Sequence, residues 1–413
     1  MLLKQSFLRH FELIDFRLSA ARYAVSAVSA LEVILLPLLI DPSLYAGIEK
    51  NRQILSFLPL ALLGSSLGYI KVYFDGKSER AHADLFNGAL ISAFFAALLI
   101  FTLTSLISFA IATFLFILCT ATERIAFVHG KLILATIYKG IISIFVLALF
   151  VFIKTFYSNS LSLDVYFVSV CLGCTIWLII ISYRIINIPS LIFQNKFSFT
   201  KKYSSMISEG FFLNALTYAI VIYLMVDRRI IENFYPSSHY YYALSFSLSQ
   251  LSLIIINTIA YSFLYKMGNN QKIISFKAYK TYRTTAVFSF FFVYIFGMFG
   301  GYIYLAFIVN AQDAIYIYSI VSFFLGLYFA ISAATVLALY LDLARAGLAI
   351  FVAGIALNLV ISPGLAFGNW PVEIYLVKSG VILTLSAVAL DFLIVRRLKA
   401  RGEDKGQSSN TDV

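Results

Sequence analysis

Charge is what this sequence has least of. Asp, Glu, Lys and Arg make up 12% of its 413 residues, about half the share of a soluble globular domain. A fully water-facing surface is excluded at that level. Cysteine is nearly absent, and Cys119, Cys171 and Cys174 all lie inside apolar stretches. Cys171 and Cys174 have C-x-x-C spacing, but without a second pair or a nearby histidine the pattern reads as packing, not as a metal or redox site. His10, His82, His129 and His239 are scattered over different loops without metal-ligand spacing. The chain has no P-loop and no dinucleotide fingerprint, and no loop long enough to hold a domain. These absences argue against an enzyme, a catalytic residue set and a resident cofactor.

What is present is apolar. The chain is 61% hydrophobic with a mean hydropathy of +0.90. Apolar runs of about 20 residues recur, long enough as helices for a hydrocarbon core roughly 30 Å thick. They lack the alternation of a lipid-facing barrel strand. The expected fold is an all-α polytopic membrane protein with twelve transmembrane helices, at 22–40, 54–73, 85–103, 106–121, 132–153, 164–183, 208–226, 240–262, 285–309, 315–341, 347–367 and 372–395. The run from Leu85 to Ala121 has no charge to divide it yet is too long for one crossing, so a tight turn is expected near Thr104 and Ser105.

The net charge of +11 reflects cytoplasmic loops and not nucleic acid. With the N-terminus inside, 23 of the 31 Lys and Arg fall on cytoplasmic segments and 5 on outer ones, Lys50, Arg52, Lys154, Arg228 and Arg229. That bias places both termini in the cytoplasm. The stretch "KQSFLRHFELIDFRLSA" sets Phe7, Phe11, Ile14 and Leu18 on one stripe. It predicts an interfacial helix over 1–20, not a cleaved signal peptide. Two six-helix lobes follow, 21–187 and 208–396, with a cytoplasmic linker at 188–207 and a tail at 397–413. The polar end "RGEDKGQSSNTDV" is expected to be disordered. The halves echo each other: "DPSLYAGIEK" and "YPSSHYYYAL" put Pro42 and Pro236 194 positions apart, and Lys71 and Lys266 are 195 apart. Parallel six-helix repeats with a central cleft are a known transporter plan.

Ionisable groups within spans are costly and usually face a bundle interior or a wet cavity. Glu32, about ten residues into the first span, is the candidate ion-coupling residue, for a proton or a sodium ion; the alternative is a hydrogen-bonded packing residue. Lys139 and Lys378 lie roughly two turns inside their spans; they either snorkel or line a basic cavity. Gln250, Asn257, Asn214 and Asn358 suit a sugar-rich substrate or plain interhelical hydrogen bonds. At "VDRRIIENFYPSS" four charges collect on the outer rim, against the positive-inside bias. Either Arg228 and Glu232 pair on an exposed turn, with Tyr240 to Tyr242 as an interfacial belt, or Asp227, Arg228 and Arg229 line the exit of a cleft.

The stretch "LMVDRRIIENFYPSSHYYYALSFSLSQLSLIIINTIAYSFLYKM" resembles the Wzx-type polysaccharide flippases of the multidrug/oligosaccharidyl-lipid/polysaccharide exporter superfamily, with an Asp-Arg pair ending the seventh helix, a small turn, and an aromatic-led eighth helix. The stretch "LLPLLIDPSLYAGIEKNRQILSFLPLALLGSSLGYIKVYF" is similar to that family's opening hairpin. The resemblance implies alternating-access transfer of an undecaprenyl-diphosphate-linked oligosaccharide across a bacterial inner membrane, for O-antigen or capsule assembly. The carrier, membrane lipid, a polysaccharide polymerase and a chain-length regulator are the partners it implies. Asp227, Arg228, Arg229, Gln250, Asn257, Lys139, Lys378 and Asn358 would then meet substrate. The chain departs from the family in having no arginine mid-membrane. A multidrug antiporter of the same superfamily remains the alternative, ahead of a membrane polysaccharide polymerase, which would carry a large outer loop.

Overall fold

A computed structural model describes residues 16–76, 80–157, 161–185, 201–251, 253, 256, 276–332 and 337–408. Residues 1–15 of the interfacial helix expected at 1–20 and most of the linker at 188–207 lie outside these residues, and 16–20 are the first residues of the helix that holds the first apolar span. All regular structure among them is helical: α1 Phe16–Leu39, α2 Pro42–Phe57, α3 Ser65–Gly76, α4 Arg80–Thr104, α5 Ile107–Val128, α6 Leu132–Phe156, α7 Leu163–Arg184 and α8 Lys201–Phe234. Then come α9 over 239–251, α10 Phe276–Ile303, α11 Ala314–Ser332, the short α12 Leu337–Tyr340, α13 Ala344–Phe367 and α14 Val372–Ser408. Nine described helices are long and apolar enough to cross a bilayer, and Tyr23–Leu39 is a shorter apolar one. Their outer faces are greasy, with Phe288, Phe299 and Phe307 at 75%, 70% and 70% exposure. This is a multi-pass membrane protein.

The turn expected inside the uncharged run is present. Ser105 is left-handed, with φ 58°, and the Thr104 hydroxyl donates to the Ile100 carbonyl at 2.8 Å while accepting from the Leu106 amide at 3.3 Å. A threonine that satisfies backbone groups on both sides can end one apolar helix and start another without a charge.

Three expectations need correction. The second crossing does not begin at 54. Pro42 opens α2 at its first turn, a position where its missing N–H costs nothing, so Lys50 and Arg52 lie on a helix and not in a loop. This helix passes through a 3-10 turn, Leu58–Leu62, and breaks at the left-handed pair Leu63 and Gly64 (φ 50° and 90°) before α3. Second, α8 does not stop at 226. Nothing in "MVDRRIIENF" breaks a helix before Pro236, so Asp227 to Glu232 sit on its last turns. Third, the polar end expected to be disordered continues α14 to Ser408, since extending an established helix costs little. The crossing expected at 315–341 is α11 plus α12, with 333–336 outside the described residues.

The described residues fall into two compact units. One is Ala20–Ile222 and the other starts at Tyr223, the two sharing α8. In the first unit Phe109 stacks on Phe167 with centroids 4.2 Å apart. Fully buried Trp177 donates from Nε1 to the Thr122 hydroxyl at 3.2 Å. Cys119 and Cys174 are buried free thiols there, with Cys119 Sγ 3.6 Å from the Cys174 carbonyl. In the second unit Ile231, Phe290 and Tyr375 anchor the core.

Candidate functional site

Each unit encloses a polar cluster. In the first, Glu32 of α1 and Glu49 of α2 are both buried and share one cation. Arg52, one turn beyond Glu49, donates from Nη1 to Glu49 Oε1 at 2.5 Å and from Nη2 to Glu32 Oε1. Ser143 of α6 and Tyr166 of α7 complete the shell, and Ser29 lies 3.2 Å from the Ser143 hydroxyl. Two carboxylates against one guanidinium leave one excess negative charge. A bound proton or a small cation would balance it. Glu32 is thus neither solitary nor free. Its partners were missed because Glu49 and Arg52 were placed in a loop; their i, i+3 spacing just after an N-terminal proline was the available signal.

In the second unit the cluster forms around Asp227, on the last part of α8. Its Oδ1 accepts from Asn358 Nδ2 of α13 at 2.8 Å and from the Tyr375 hydroxyl of α14 at 2.6 Å. Ser379 donates to its other oxygen. Lys378, on α14, donates to Asn358 Oδ1 and, at 2.7 Å, to the Ser362 hydroxyl. The same ammonium lies 4.3 Å from the Tyr375 ring centroid. Asn358 therefore bridges the acid and the base, facing one with its amide nitrogen and the other with its oxygen. Arg228 is buried as well, its guanidinium 5.9 Å from the rings of Tyr242 and Phe246. Asp227, Arg228 and Lys378 together carry one excess positive charge.

The rim reading needs correction accordingly. Asp227 and Arg228 are 4% and 2% exposed and belong to the interior of the unit. Arg229 alone of the three is at the surface, and it pairs with Glu232 at 2.9 Å. Helical geometry explains the split: 100° per residue turns Asp227 inward and Arg229 outward. Lys378 and Asn358 join the Asp227 cluster. Gln250 is exposed on α9, and Asn257 lies outside the described residues. Lys139 is exposed on α6, its Nζ 5.8 Å from the Tyr138 ring centroid; it joins neither cluster. Tyr223, whose hydroxyl donates to the Ser379 carbonyl at 2.8 Å, and Ser362, Tyr375 and Ser379 were not singled out from the sequence, because serine and tyrosine on apolar helices carry no pattern of their own.

Two histidines expected to be scattered on loops meet instead. His82 opens α4 and His129 caps α5, and their Nε2 atoms are 3.0 Å apart. The Tyr69 hydroxyl is 2.7 Å from His82 Nδ1, and Tyr73 stacks on the His82 ring. Among the described residues no group of three His, Cys, Asp or Glu could hold a metal ion.

The sequence matches no protein-family model, and no curated protein compared with it is similar. Its fold does have solved counterparts. The Vibrio cholerae MATE transporter VcmN in its bent form superposes with a TM-score of 0.61 at 12% identity, covering 93% of this chain and 98% of that one. An outward-facing multidrug resistance MATE family transporter of the MOP superfamily gives 0.63 at 14% identity, covering 94% and 96%. A MOP superfamily transporter from Pyrococcus furiosus, described as having a binding pocket of reverse polarity that suggests a different function, gives 0.58 at 12%, covering 93% and 95%. At these identities the likeness is one of fold: twelve membrane helices in two lobes.

Proposed function

We propose that this chain is a MOP superfamily transporter working by alternating access, and that it flips a polyprenyl-diphosphate-linked oligosaccharide across a bacterial inner membrane for surface polysaccharide assembly. The carrying observation is the polarity of the second unit's interior. Two cations, the buried Arg228 and the half-buried Lys378, lie with Asp227 among tyrosine, serine and asparagine side chains. In a low-dielectric interior, cations and hydroxyl donors favour a diphosphate or a glycan over a cationic drug. The reversed pocket polarity of the Pyrococcus furiosus transporter supports the idea that this fold accommodates such a change. A polymerase and a chain-length regulator would act downstream of the delivered repeat unit.

Coupling falls to the first unit. Its excess negative charge makes Glu32, with Glu49, the seat for a coupling proton or sodium ion. Neutralising Glu32 frees Arg52 from α1 while leaving it on Glu49 of its own helix, so protonation loosens α1 from α2. Glu32→Gln is expected to reach the membrane in normal amount and to lose transport driven by an ion gradient. Full flipping by that variant would remove Glu32 from the mechanism.

The function itself is tested by deletion of the gene. Lipid-linked repeat units should accumulate on the cytoplasmic face and surface polysaccharide should fall. Intact polysaccharide with new drug sensitivity would instead favour a multidrug antiporter, the reading suggested by the multidrug resistance protein of the same fold.

A further inference from the structure

The second unit carries a second concentration of positive charge, far along α14 from the Asp227 cluster. The start of α10 presents Lys277, Lys280 and Arg283, and the later part of α14 presents Arg396, Arg397 and Lys399, all six exposed. More than a hundred residues separate the two groups in sequence, and the fold makes them neighbours. The Tyr279 hydroxyl and Arg283 Nη1 both reach Asp391 of α14, at 2.5 and 2.7 Å, and Lys399 Nζ lies 5.4 Å from the Phe276 ring centroid. Asp391 offsets one charge. The sequence beyond adds Arg401 and Lys405 against Glu403 and Asp404, so a net positive face remains.

What lies next to these cations decides their partner. On α10 Lys277, Lys280 and Thr284 share one helical face with Phe288, Phe291 and Ile295, at spacings of three and four. That apolar row is exposed, while the opposite face, with Tyr279, Tyr282 and Phe290, is buried. On α14 Leu385, Val388 and Phe392 form a second exposed apolar row that leads to Arg396 and Lys399. A cluster of basic side chains at the end of two greasy rows matches an amphiphile with an anionic head and acyl chains. Soluble anions would need no apolar rows.

We infer that the lipid-facing surface of α10 and α14 binds anionic phospholipids of the bilayer, their phosphates on the basic side chains at its end and their acyl chains along the two apolar rows. The positive-inside bias puts this face in the cytoplasmic leaflet, where basic clusters beside membrane helices recruit acidic lipids. The site does not depend on what the chain transports.

The test uses the full chain, purified in detergent and stripped of lipid, then offered cardiolipin, phosphatidylglycerol or phosphatidylcholine, with bound lipid read by native mass spectrometry. The parent should retain the two anionic lipids in preference to phosphatidylcholine. In the triple variant Lys280→Gln/Arg396→Gln/Arg397→Gln that preference should fall at least about tenfold, since each basic residue at an anionic surface is worth about fivefold. The variant's melting temperature without lipid serves as the folding control. Should the triple variant misfold, the single variants Lys280→Gln and Arg397→Gln are read instead, each expected to lose a smaller share. Equal retention of all three lipids by the parent overturns the site, as does an unchanged preference in the variants. Complete displacement of cardiolipin by millimolar inorganic pyrophosphate, at an ionic strength matched with chloride, would identify a soluble-anion site and overturn the lipid assignment.

Discussion

Asp227→Ala is expected to destabilise the second unit by about 3–5 kcal/mol, because it takes a charged acceptor from three buried donors. Two losses contribute, and magnitudes separate them. Interhelical hydrogen bonds in membrane proteins average about 0.6 kcal/mol each, so losing the bonds from Asn358, Tyr375 and Ser379 accounts for roughly half of that total. The rest is loss of the carboxylate charge that faces Lys378 across Asn358. Lys378 is only partly buried and can swing towards water, which favours the lower end of the range. Two companions locate the cause. Asp227→Asn keeps an acceptor for Tyr375 and should lose mainly the charge contribution. Asp227→Ala/Lys378→Met removes acid and base together and should recover much of the melting temperature, while remaining inactive in transport if this pair meets substrate. The readout is thermal unfolding in detergent beside a flipping assay. A double variant no more stable than the single would show that Lys378 does not answer Asp227.

Gly68→Ala and Gly210→Ala should each prevent accumulation of folded protein. A Cβ on Gly68 would lie 1.8 Å from the Met206 carbonyl oxygen, and one on Gly210 would lie 2.0 Å from the Gly64 carbonyl oxygen. The obstacle in both cases is backbone, so no side chain can turn aside. Overpacking a core costs about 1–3 kcal/mol when side chains can shift; here α3 and α8 must separate and lose the close approach that small residues permit in membranes. Gly64 adds a conformational demand, since its φ of 90° is open to glycine and strained for other residues. The control is Gly300→Ala on α10, where an added Cβ meets nothing within 4 Å; it should be neutral or gain about 0.5–1 kcal/mol from helix propensity. The measurement is yield of monodisperse protein and its melting temperature. A Gly68→Ala variant that melts with the parent would rule out the close contact.

Some of this was legible in the chain. The turn at Thr104 and Ser105 followed from length alone, because an uncharged run from Leu85 to Ala121 exceeds one bilayer crossing. Glu32 was singled out because a carboxylate ten residues into a span is costly wherever it points. Asp227 to Glu232 were read as a rim, which was right about their place along the chain and wrong about their surroundings. The helix continues through them, and two residues, about 200° of helix, separate a buried Asp227 from an exposed Arg229.

The sequence by itself determined the membrane-spanning helical class, the sites of most crossings and the charge bias. All three follow from how much apolar chain a bilayer requires and from the cost of putting charge inside it. Only the tertiary structure decided the partners: Arg52 between Glu32 and Glu49, Asn358 between Asp227 and Lys378, His82 against His129. The reason is physical. In a soluble helix the polar face marks the outside, so periodicity reveals what packs inward. In lipid the outward face is as apolar as the core, so the pattern along one helix does not say which neighbour its few polar groups will meet.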